Sequence, residues 1–91
     1  MGREAHEGVH RLPTRRKRIG PVGVEVLYSG RMQWVFDLAR GRFVCLSQDI
    51  DLDENVLHMH WKPYQRLEPA HDGRGVVVTT HRTTFHVPAA D

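Results

Sequence analysis

Two histidines, His58 and His60 in the run His58-Met59-His60-Trp61, have the spacing in this chain best suited to metal chemistry. In a strand both imidazoles would project to one face and could share a zinc or copper ion. In a helix they would point about 200° apart and could not. The flanking residues favour the helix. Asp53 has the chemistry of an N-cap, and Val56, Leu57, His60 and Trp61 follow at helical spacing. Pro63 then disfavours helical geometry at Lys62. A helical turn over roughly 54–61 would bury Val56, Leu57 and Trp61 and leave His58 facing outward. The remaining histidines do not complete a ligand set. His81 and His86 fall on opposite faces of a continuous strand, His71 sits in a turn sequence, and His6 and His10 lie near the N-terminus. No metal and no cofactor are expected.

Asp49, Asp51 and Asp53 resemble the first, third and fifth positions of an EF-hand calcium loop. The resemblance ends there. Glu54 stands where the loop needs its glycine, and His60 stands where it needs a bidentate glutamate. Ile50 and Leu52 between the aspartates imply an apolar edge packed on the body. Nucleophilic catalysis has as little support. Ser29 and Ser47 both fall in turn sequences, and Cys45 sits among apolar strand residues as an inert core thiol. Gly73-Arg74-Gly75 is too short for a phosphate loop and reads as a turn. The chain is therefore expected not to be an enzyme.

The clearest partner signal is charge. Residues 1–21 carry six basic and two acidic residues, while residues 22–91 carry seven basic and nine acidic ones. A basic arm is thus joined to a mildly acidic body. Arg15, Arg16, Lys17 and Arg18 are contiguous and Arg11 is near. Such a cluster can neutralise several phosphates and release their counterions, and guanidinium groups suit phosphate geometry. The plainer reading is a solvated tail.

The elements that would carry these residues fit one small domain. The chain has 91 residues, 40% hydrophobic and 26% charged. A single cysteine rules out an internal disulfide and any all-thiolate zinc site. With no long apolar run and no signal-like N-terminus, the protein is expected to be cytoplasmic, with no membrane contact. Residues 1–21 lack periodicity, contain Gly20 and Pro21, and are expected to be a flexible, disordered arm. The folded body, 22–91, begins near Val22.

From Val22 the pattern has period two. Val22, Val24, Val26 and Tyr28 alternate on one face, as do Met32, Trp34, Phe36 and Leu38, with Gln33 and Asp37 opposite. Matching these faces selects a three-residue loop, Ser29 to Arg31, with Tyr28 opposite Met32, Val26 opposite Trp34 and Val24 opposite Phe36. Ala39-Arg40-Gly41 reads as a turn ending in a left-handed glycine, with Phe36 opposite Val44 and Trp34 opposite Leu46. On this register Trp34, Phe36, Val44 and Leu46 form one buried cluster, and replacing Gln33 would be nearly silent. Phe43, Cys45 and Val35 point to a second, partly apolar face that needs a cover, either later strands, a short helix or another subunit.

Further on, residues 47–55 are a polar connection, and Gln65 to Ala70 read as a strand. His71 to Gly75 form a turn. Val76 to Val87 make one long strand or two bent near His81-Arg82. The expected fold is mainly β: a small antiparallel sheet or half-open barrel of four to six strands with one short helical turn. The expected role is non-enzymatic binding, with the arm contacting nucleic acid or another polyanion. The alternative is a protein–protein or homodimeric module whose aromatic residues, seven in all, cover a partner and whose basic tail is incidental.

Overall fold

A computed structural model describes residues 12–55 and 59–89. The fold is mainly β and built from two antiparallel sheets. The first is a five-stranded meander of β1 (Arg15–Ile19), β2 (Val22–Ser29), β3 (Met32–Asp37), β4 (Arg42–Ser47) and β5 (Lys62–Pro63), in that spatial order. The second is a three-stranded meander of β6 (Arg66–Pro69), β7 (Val76–Thr79) and β8 (Thr84–Val87). A single turn of helix, α1 (Leu52–Asn55), lies between β4 and β5. The first sheet has a strand number within the expected range, the second is additional, and neither closes into a barrel. Among the described residues no helix is long and apolar enough to cross a membrane.

Three tight turns set the geometry of the first sheet. Gly20 and Gly30 each occupy the first position of a two-residue loop, with φ of +58° and +61°. A type II′ hairpin turn calls for that position and that sign of φ, and only glycine adopts it freely. Pro21 fits the second position of the first loop, where φ is negative. Ile19-Gly20-Pro21-Val22 is thus a hairpin turn and not the end of a mobile arm. The ordered fold begins before Arg15, not at Val22. Gly41 is left-handed at φ +64°, as its turn sequence predicts, but the loop holds four residues, Leu38 to Gly41.

The alternation within each strand holds, while the register between strands differs by one residue. Val26 stands opposite Val35, Leu27 opposite Trp34 and Glu25 opposite Phe36. Phe36 faces Phe43, Trp34 faces Cys45 and Val35 faces Val44. A shift of one residue exchanges whole faces. One face carries Ile19, Val24, Val26, Val35 and Val44, covered by Leu52, Met59 and Trp61. The other carries Leu27, Phe36 and Phe43, covered by Val76, Val78 and Val87 of the second sheet. The expected cluster of Trp34, Phe36, Val44 and Leu46 is therefore split between two cores. Because both faces are apolar, hydrophobic matching could not decide the register, and the glycine turns did.

Gln33 and Asp37 consequently point into the first core. Gln33 is 4% exposed, and its Nε2 donates to the carbonyl oxygens of Ser47 and Ile50, both at 2.9 Å. This bond anchors the connection after β4, and Leu52 then closes over the sheet. Asp51, not Asp53, caps α1, its Oδ1 accepting the Asp53 amide at 2.9 Å. The helix is described over Leu52–Asn55, starting earlier than the 54–61 turn expected, and Trp61 is half-buried outside it. Val56, Leu57 and His58 lie outside the described residues.

The chain passes from one sheet to the other at Tyr64-Gln65. Tyr64 donates its amide to the carbonyl of Gly41 in the β3–β4 loop of the first sheet, and Gln65 donates its amide to the carbonyl of Thr79 in the second. The strand at 66–69 and the turn at 71–75 match expectation. Of the two readings of 76–87, the bent one is observed, with the break at Thr80 to Thr83. Gly75 has φ +101°, and a Cβ added there would overlap the Val87 carbonyl and come 2.9 Å from the Ala89 nitrogen.

Two stability tests follow. Gln33→Ala should cost about 1–3 kcal/mol in a denaturant melt, because it strands two carbonyls. A change within about 0.5 kcal/mol would place the side chain in solvent. Gly75→Ala should cost at least about 2 kcal/mol, since the backbone is strained and no space is open. Gly73→Ala, at φ +74° with open space around it, should cost only about 1–2 kcal/mol. Equal effects would mean that the close approach of Gly75 to Val87 does not exist.

Candidate functional site

The basic residues singled out in the sequence belong to an edge strand. Arg15, Arg16, Lys17 and Arg18 are all exposed along β1, at one margin of the first sheet. Arg11 lies outside the described residues. In a strand these cations alternate, with Arg15 and Lys17 on one face and Arg16 and Arg18 on the other, about 7 Å apart on each. Arg16 pairs with Glu25 at 3.0 Å, and Thr14 donates to the same carboxylate at 2.7 Å. Among the described residues Arg15, Lys17 and Arg18 have no carboxylate partner. Charge on an edge strand also has a structural use, since it stops another strand from pairing there. Four like charges in succession serve that end and leave a cationic stripe as well.

A second feature was not legible in the sequence. A cleft of about 720 Å³ opens between the β4–β5 side of the first sheet and the β7–β8 turn of the second. Its floor is aromatic. Trp34 and Phe85 are half-buried, with ring centroids 5.7 Å apart, and Phe43 stacks on Trp34 at 6.0 Å and 20°. Cys45, opposite Trp34 in the ladder, lines one wall. Burial pushes its thiol above the ordinary value. Lys62, His60, His81 and Arg82 form the rim, and no aspartate or glutamate lines the cleft among the described residues. The rim is firmly built. The Thr80 hydroxyl accepts the amides of Arg82 and Thr83, both at 3.2 Å, and the Thr80 amide donates to the Thr83 carbonyl at 2.8 Å. Three segments far apart in the chain supply these residues, so no local pattern could reveal the cleft.

Among the described residues the histidines and aspartates do not gather. Among the described residues no three of His, Cys, Asp and Glu converge on a point that could hold a metal ion. His60 is exposed on the cleft rim, and His86 Nε2 lies 2.9 Å from the Arg74 carbonyl oxygen.

Among the described residues the one buried charge is structural. Asp37 has no exposed surface, and its carboxylate holds the β3–β4 loop. Arg42 Nε donates to it at 2.9 Å, the Arg40 amide at 3.2 Å and Arg40 Nη1 at 3.3 Å. Arg42 also stacks over Trp61, 4.4 Å from the ring centroid, which ties the loop to β5. Burial alone would raise the Asp37 carboxyl, but the bonds from Arg42 and Arg40 outweigh it and bring it below the usual value. Burial, then the Asp37 charge, push the Tyr64 phenol upward.

A carboxylate lowered in the folded state contributes stability above its unfolded pKa of about 3.9 and loses it as pH falls through the lower folded value. Asp37→Asn should therefore cost about 1.5–3 kcal/mol at neutral pH, the range for hydrogen bonds to charged groups. The gap between wild type and variant should narrow below about pH 4. Melts at neutral and acid pH that show a constant gap would contradict this role.

No protein-family model, curated protein or solved structure matches this chain, so the reading of its surfaces rests on their geometry.

Proposed function

We propose that this chain is a non-enzymatic binding module that holds nucleic acid along β1. The observation that carries the reading is the run of four exposed cations on one edge strand, three of them without a carboxylate partner among the described residues. A strand presents them on both sides of the sheet margin, so a phosphate backbone running along the edge would meet charge whichever face it approached. Each phosphate neutralised releases counterions, which gives affinity that falls steeply with salt. The homodimer alternative is less favoured. Of the aromatic residues behind it, Phe36 and Phe43 are buried between the sheets, Trp34, Tyr64 and Phe85 pack partly against them, Trp61 packs on the first core, and Tyr28 is exposed. Like charges along β1 also oppose strand-to-strand pairing there.

The test compares the full chain with an Arg15→Gln, Lys17→Gln, Arg18→Gln variant, which keeps the Arg16–Glu25 pair. DNA and RNA oligonucleotides are titrated at several salt concentrations. The variant should bind at least about tenfold more weakly, with a log–log salt slope shallower by about 2–3. An unchanged affinity and slope would contradict the proposal.

A further inference from the structure

From the cleft between the sheets we infer a second binding site, one that takes a nucleotide, its base on the aromatic floor and its phosphate at the cationic rim. This does not rest on the reading of β1. The cleft lies on β3, β4 and β5 of the first sheet, two to four strand spacings or about 10–19 Å from the basic strand.

Three observations point to this ligand class. The volume, about 720 Å³, is in the range of small-molecule sites, about 300–1,000 Å³. The floor is built from rings, and Trp34 and Phe85 each keep part of their surface uncovered. Ring faces of this kind stack with planar bases. The rim is of one sign. Lys62 comes from β5, and Arg82 from the turn braced by Thr80, with His60 and His81 beside them. With no carboxylate lining the cleft among the described residues, nothing there repels an anion, and the neutral thiol of Cys45 adds only an apolar wall. A base without phosphate would leave the rim unused, and a phosphate without base would leave the rings wet. A free nucleotide and the terminal residue of a strand present the same chemistry.

The probe is AMP, titrated into the full chain by calorimetry and by fluorescence in a Trp61→Phe background, where Trp34 is the remaining tryptophan. Adenosine and ribose 5-phosphate are the comparison ligands. AMP should bind about tenfold or more tightly than either, and it should quench Trp34. Lys62→Gln combined with Arg82→Gln, both at exposed positions, should weaken AMP about tenfold and leave adenosine unaffected. The β1 triple variant should bind AMP as the wild type does, so failure of the nucleic-acid reading and failure of this one are distinguishable. A 5′-phosphorylated oligonucleotide that competes with AMP for the wild type, and not for the double variant, assigns the site to strand ends. Competition by AMP alone assigns it to free nucleotides. Absence of AMP binding, or binding indifferent to the double substitution, overturns the inference.

Discussion

Everything in this fold depends on which residue of β2 stands opposite which residue of β3. Side chains alternate with a period of two, so the pairing decides which residues share a face. With Val26 opposite Val35, the small β-branched residues gather on one side of the sheet and the large aromatic ones on the other. The valine face is shallow and takes a thin cover, Leu52 with Met59 and Trp61. The aromatic face is deep and takes a whole second sheet. Where that second sheet stops short, at the Thr80–Thr83 turn, the rings of Trp34 and Phe85 remain partly uncovered and form the floor of the cleft. The register thus connects a turn glycine, Gly30, to the surface most suited to a ligand.

The same pairing explains two buried polar groups. Gln33 and Asp37 face the valine core, where an unpaired polar atom would be costly. Each is engaged. Gln33 holds the connection after β4, and Asp37 holds the loop before it. Among the described residues no buried side-chain polar atom is left without a partner. These two side chains pin both ends of the β3–β4 hairpin, a specificity that valine packing alone would not supply.

Much of this was legible in the sequence, and what was not has physical causes. Alternation in β2 and β3, the left-handed Gly41, the turn at 71–75 and the break near His81-Arg82 are local properties, and local patterns report them. Register is not local. A sheet with one polar face would declare it, but here Val35, Phe43 and Cys45 make the second face apolar too, so matching Val26 to Trp34 satisfies the alternation without being the pairing adopted. The informative signals were the glycines at loop starts. Gly20-Pro21 resembles the end of a disordered arm because charge on both sides masks a strand with only Ile19 buried. Gln33 and Asp37 suit a solvent face by polarity alone. The cationic cluster was legible as charge, but its place on a strand was not. The cleft was illegible because it is assembled from β3, β4, β5 and the β7–β8 hairpin.

The pairing can be measured directly in solution by nuclear Overhauser effects between backbone protons of adjacent strands. Contacts linking Val26 to Val35 and Trp34 to Cys45 as opposed partners are expected, with Gly30 and Arg31 alone in the intervening loop. Contacts that instead set Val26 opposite Trp34 and Trp34 opposite Leu46 would exchange the two faces, dissolve the aromatic floor of the cleft, and contradict the architecture described for this chain.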